Sequence, residues 1–121
     1  MSDYLPPYGS SQGNRQTRTA AGAITGGLLV TDDDVLAGAN ATDWLGVASH
    51  DAATGESYGV YSGGLQNLVA GGAVAKGPVK CAAGGKIAVF VPGTDDPTRH
   101  VGNSQSAALA DGDVVTVNMN R

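Results

Sequence analysis

From Ala20 onward the apolar residues come in short pieces, each cut within a few positions by glycine, aspartate or asparagine. A surface helix needs apolar residues at i, i+3, i+4 and i+7 over several turns, and these interruptions leave it no room. Short extended segments joined by tight turns are what such a chain can build. Glycine (19) and proline (5) together make about a fifth of the 121 residues, against a usual share of roughly 12%. Charged residues at 15% and aromatics at 5% are too few for the charged faces and bulky seams of a helical bundle. No apolar run approaches the ~18 residues of a membrane span, and Met1-Ser2-Asp3-Tyr4 lacks the basic start and apolar core of a secretory leader.

The segments themselves read as strands. Val115, Val117 and Met119 alternate with Thr116, Asn118 and Asn120, the period of two that marks a half-buried strand. Trp44–Ala48, Ser57–Tyr61 and Leu65–Val69 are short strands, and Ala23–Val30 is strand material broken at Gly26-Gly27. The most apolar run, Lys86–Val91, reads as a strand covered on both faces, and only Gln105–Ala110 tolerates a helical turn. Asp32-Asp33-Asp34, Asp51–Gly55 and Asp95-Asp96-Pro97 are turns. Strands of about five residues with frequent turn signals predict a small sandwich or barrel. An internal repeat accompanies this pattern: Leu45-Gly46, then Gly55-Glu56 nine residues on, then Val60; and Val101-Gly102, then Gly112-Asp113 ten residues on, then Val117. Both copies read as strand, alanine-containing turn, Gly-acid pair, strand.

Residues 1–19 differ in kind. Tyr4-Leu5-Pro6-Pro7-Tyr8 is followed by a polar Gly/Ser/Gln-rich stretch ending in Arg15-Gln16-Thr17-Arg18, which lacks the apolar content to offset its own ordering entropy. Asp3, Arg15 and Arg18 leave this arm at +1, so the remainder of the −4 chain carries −5. The expected organisation is an extended arm, 1–19, on a single small β-domain, 20–121. An acidic body with a sequence pI near 4.7 is unsuited to nucleic acid, whose phosphates call for a basic face.

Motifs that would carry chemistry are missing. The glycine pairs never form a phosphate-binding loop or a dinucleotide fingerprint, and no Gly-x-Ser-x-Gly elbow occurs. Cys81 is the only cysteine, so the expectation is an inert strand residue, with no intrachain disulfide and no cysteine-based zinc cluster. His50 and His100 stand too far apart for a ligand motif and read as exposed loop histidines. Asp32-Asp33-Asp34 lacks the alternating ligands of an EF-hand loop. No cofactor is expected, and the chain does not read as an enzyme. Trp44, the only tryptophan, is a core residue or the plug of a subunit interface.

Leu45-Gly46-Val47-Ala48, Asp51–Glu56, Leu68-Val69-Ala70-Gly71-Gly72-Ala73-Val74-Ala75-Lys76-Gly77-Pro78-Val79 and Gly84-Gly85-Lys86-Ile87, with the closing Val101-Gly102 and Ala107–Val117, resemble the small head decoration, or cement, proteins of tailed bacteriophages. The resemblance spans residues 23–119 and rests on the spacing of glycine, alanine and valine. It implies a small β-barrel or β-clip-like domain with an extended N-terminal arm, made in the host cytoplasm. It further implies that the domain binds the exterior of the capsid as a homotrimer and stabilises the shell without catalysis. The implied partners are the major capsid protein and further copies of itself, with neither nucleic acid nor membrane. Tyr4, Leu5, Pro6, Pro7 and Tyr8 are then the apolar anchors of the arm, with Arg15 and Arg18 meeting acidic surface. The alternatives are another phage structural module (tail-tube, head-fibre or adhesion) and, further off, a β-clip-type enzyme, whose substrate motif is absent.

Overall fold

The computed structural model describes residues 14–119. Nine strands form two antiparallel sheets. The first holds β1 (Asn14–Thr19), β2 (Leu29–Thr31), β3 (Trp44–Ala48) and β4 (Ser57–Ser62) in the order β1-β4-β3-β2. The second holds β5 (Gly64–Val69), β6 (Gly77–Cys81), β7 (Ile87–Val89), β8 (His100–Ser104) and β9 (Val114–Met119) in the order β5-β9-β8-β6-β7. Short 3₁₀ turns at Ala83–Gly85 and Pro97–Arg99 are the only helical pieces among the described residues. The all-β expectation holds, but in the form of two sheets. A single parallel bridge, Ala70 to Ile87, brings the two edges of the second sheet together, and the ladder goes no further, so the sheet does not close into a barrel.

The internal repeat extends over the whole described chain. β1 pairs with β4 from Asn14↔Ser62 to Thr19↔Ser57, and β5 pairs with β9 from Gly64↔Met119 to Val69↔Val114. β2 meets β3 through Val30↔Gly46 and Thr31↔Trp44 with a register shift between them; β6 meets β8 through Val79↔Gly102 and Lys80↔His100 with the same shift. Bridges outside the strands match as well, Ile24↔Ala52 with Val74↔Ala108. Sequence follows structure here: Ala20-Ala21-Gly22-Ala23-Ile24 lies where Ala70-Gly71-Gly72-Ala73-Val74 lies in the second unit. In both units the hairpin turn places a glycine at positive φ, Gly55 at 89° and Gly112 at 94°, which a side chain would strain.

Residues paired across an antiparallel ladder share a face, and this assigns the cores. Leu68, Val115, Val117, Met119 and Val79 from the second sheet pack with Leu29, Trp44 and Val47 from the first, and with Ala37 from the connection between β2 and β3, into the larger core, and Tyr61 lies against it. The opposite face of the first sheet, with Val30, Ala48, Tyr58 and Val60, closes over Ala20, Ile24 and Ala52 in a smaller core. Trp44, 1% exposed, is thus core, and Cys81 is buried in β6.

Several local expectations change. Ile87 and Phe90 are buried, but Val89 and Val91 are 37% and 47% exposed, so Lys86–Val91, which contains the edge strand β7, is only partly covered. Gln105–Ala110 has no helical turn, since Ala108 is held in its bridge to Val74. Neither histidine is a free loop residue. His50 is half-buried, with Nδ1 2.8 Å from Ser49 Oγ, and His100 opens β8 with its ring 5.1 Å from that of Phe90.

Candidate interaction surface

Tyr4, Leu5, Pro6, Pro7 and Tyr8 lie outside the described residues. Of the expected arm, residues 14–19 form β1, an edge strand of the first sheet. The strand is polar because it buries little: Arg15, Gln16, Thr17 and Thr19 are exposed and Arg18 is half-buried. Its partner positions in the second sheet, Gln66 and Leu68, are buried.

The two arginines do different things. Arg15 stands opposite Tyr61 in the ladder, with its guanidinium carbon 5.7 Å from the ring centroid, within reach of a cation–π contact. Gly59 leaves room for it; a Cβ there would collide with the guanidinium. Arg18 is committed within the chain. Its Nε donates to Asp34 Oδ1 at 2.6 Å, and its Nη2 donates to Asp34 Oδ2 at 3.2 Å and to the Asp32 carbonyl at 3.0 Å. The Tyr58 hydroxyl donates to the same Asp34 Oδ1 at 2.7 Å. Asp34 adopts φ 64°, a left-handed conformation that aspartate accepts more readily than bulkier residues.

Electrostatics follow from this geometry. The hydrogen bond from Arg18, supported by that from Tyr58, holds the Asp34 carboxyl below its ordinary value of 3.8. The same bond raises Arg18. Burial, and then donation to Asp34, pushes the Tyr58 hydroxyl well above its ordinary value of 10.0. This cluster is a clamp from β1 to the β2 turn. In the sequence the acidic run reads as a turn; nothing there shows that Arg18 and Tyr58 face each other across β1 and β4.

At the other end of the second unit, the turn from Ala108 to Val115 presents Leu109 at 87% and Val114 at 61% exposure. The Asp113 carboxylate accepts from the amides of Leu109 at 3.0 Å and Ala110 at 3.1 Å. In the first unit Glu56 Oε1 accepts from Ala53 N at 2.7 Å, so Ala53 corresponds to Ala110. Leu109 is therefore an inserted residue. Its sequence signal is the spacing of the repeat, nine residues in one copy and ten in the other.

Among the described residues the surface shows no ligand-sized pocket, and no helix is long and apolar enough to cross a membrane. Asp32, Asp33 and Asp43 bring carboxylate oxygens within 4.8 Å of one another, all exposed. Asp95 accepts from Lys80 at 2.8 Å and from Val91 N at 2.8 Å, and lies 3.7 Å from Arg99. The bond from Lys80 comes first among the contacts that lower its carboxyl.

No protein-family model matches the sequence, and the comparison with curated proteins gives no match. Among solved structures, the chain is similar to the N base of the head fibre protein gp8.5 of bacteriophage phi29. The TM-score is 0.66 at 23% identity, covering 88% of this chain and 93% of that one. The two share a fold.

Proposed function

We propose that this chain is a structural protein of a tailed-phage head, seated on the outer surface of the shell as a decoration protein. The observation that carries this reading is the fold it shares with a head fibre base over nearly the full length of both chains. The surface suits such a role, with turns and polar strand faces and no ligand-sized pocket among the described residues. On this reading the chain acts by adhering in many copies. A homotrimer engaging three equivalent sites on the major capsid protein gains effective concentration without new contacts. The segment before β1, with Tyr4, Leu5, Pro6, Pro7 and Tyr8, supplies apolar anchors. Arg15 contributes an exposed charge beside them, while Arg18 serves to hold β1 in place.

A second reading, the base of a head fibre, is favoured by the identity of the structural neighbour. Cryo-electron microscopy of particles labelled through this chain separates the two. Compact density on the shell supports decoration, and density at the foot of a fibre supports a fibre base. Label on the tail, or on no particle, overturns both. Deleting residues 2–13, which spares β1, is expected to leave a folded domain that no longer sediments with heads; undiminished sedimentation removes the anchoring role of the segment.

A further inference from the structure

The first strands of the two units pair through the same six-residue register, and β5 shows what β1 lacks. In β5, Leu68 is 1% exposed in the larger core, and Gln66, 0% exposed, donates from Nε2 to the Gly63 carbonyl at 3.0 Å. Gln16 holds the place of Gln66 in β1, yet it is exposed, and its Oε1 accepts from Arg18 Nη1 of its own strand at 3.5 Å. Arg18 holds the place of Leu68 and replaces burial with its bonds to Asp34 and the Asp32 carbonyl. Residues 15–19 add no side chain to either core. Where β1 ends, the chain is fixed: Ala20 is 3% exposed, its N–H donates to Glu56 O at 2.9 Å, and its carbonyl accepts from Gly55 N at 2.8 Å.

We infer that β1 is a releasable strap, which leaves the first sheet while residues 20–119 stay folded, with the Arg18–Asp34 pair as its latch. A strand opens most easily where few buried apolar contacts are lost and its backbone bonds lie among exposed side chains. β1 meets both conditions. Breaking the latch costs hydrogen bonds to a charged group, and the remaining loss is of ladder bonds that water replaces. Opening ends at Ala20, so the six residues of β1 add about 20 Å to the reach of the segment before them. The use of that reach rests on the reading of the chain as a head protein anchored through residues 4–8: an opened strap lets the anchors seat in the shell where a closed one falls short.

Hydrogen exchange of the free full-length chain tests the release. The amides of β1 are expected to exchange at least tenfold faster than those of β5, at a rate that low urea barely changes, because opening one strand exposes little surface. Arg18→Met is expected to speed β1 exchange about tenfold further. Amides of β1 that exchange as slowly as those of β5, with the same urea dependence, overturn the strap; an unchanged rate in Arg18→Met overturns the latch. A staple then tests the use. Arg15 and Tyr61 stand opposite each other in the ladder, within disulfide reach. Arg15→Cys/Tyr61→Cys is expected to sediment with heads assembled without this chain about tenfold more weakly when oxidised than when reduced. If wild type sediments and the two forms bind equally, the added reach is overturned and the head reading stands. If wild type does not sediment, the head reading falls and the added reach with it, while the exchange result still decides the strap.

Discussion

The two units of this chain share a ladder and differ in what fills it. Leu68 and Val115 face each other across β5 and β9, and Gly71 N donates to Ile87 O beside them. At the same three places the first unit has Arg18, Tyr58 and Asp34, with Ala21 N donating to Asp34 O. One corner is closed by three aliphatic side chains, the other by an ion pair and a tyrosine hydroxyl. Position in the repeat also decides fate at the strand partnering the register shift. Trp44 fills the joint core, while its counterpart His100 lies half-buried on Phe90. Turns and small residues, common to both units, thus set the backbone. Side-chain chemistry is free to diverge provided each corner is filled or its polar groups are paired.

The largest asymmetry is expected at that last pair. Trp44→Ala removes the largest side chain of a core built from both sheets and should cost about 3–5 kcal/mol, whereas His100→Ala should cost about 1 kcal/mol or less. Urea denaturation of the two variants measures both; equal losses would mean that the sheets do not depend on Trp44 for their union. The next test should show no asymmetry. A Cβ on Gly46 would strike the carbonyl of Tyr61, and one on Gly102 the carbonyl of Asn118. Backbone cannot yield as a flexible side chain does, so Gly46→Ala and Gly102→Ala are each expected to cost about 3 kcal/mol. Strongly unequal losses would show that the two ladders are less alike than their registers.

The polar corner should be distinguished by its pH dependence. Because the folded-state Asp34 carboxyl lies below its ordinary 3.8, its contribution is complete above that value and is lost as pH falls through the folded value. Tyr58 is raised above 10.0, so its contribution is complete below pH 10 and declines as pH rises toward the folded value. Asp34→Asn keeps a residue that tolerates positive φ but removes the charge that accepts from Arg18 and Tyr58. It should cost about 2 kcal/mol at pH 7 and flatten the acid limb of the stability curve. What remains of that limb belongs to Asp95 and Asp96, which are also lowered. An acid limb as steep as that of wild type would remove the clamp from Asp34.

Much of this was legible in the residues. Alternation located β9, and the Gly-acid pairs disclosed the repeat and even its one-residue difference, because turn chemistry and strand period are local. What could not be read is non-local. β7 has the composition of a covered strand, yet it ends the sheet, and Val89 and the following Val91 face water. β1 has the composition of an arm, yet its ladder to β4 and the bond from Arg18 to Asp34 draw it into the sheet. The Asp32–Asp34 run shows the same limit: two of its carboxylates are exposed and the third is half-buried and paired, a distinction set by a strand far away in sequence.

The smallest expected effect concerns an ion pair in the second unit. Lys86 Nζ lies 2.8 Å from Asp111 Oδ1, and their side chains are 33% and 63% exposed; Thr54 stands where Asp111 does, so the first unit lacks this pair. Exposed pairs gain little, because water screens the attraction and two long side chains lose freedom to make it. Lys86→Met should therefore change stability by less than about 0.5 kcal/mol, with any difference from wild type fading between about 0.05 and 0.5 M salt. Arg18→Met at the polar corner removes a bidentate donor from a half-buried carboxylate and should leave a loss that persists at the higher salt. If the two variants respond alike, the corner holds its charge no more tightly than an open surface does, and the distinction between the units reduces to packing alone.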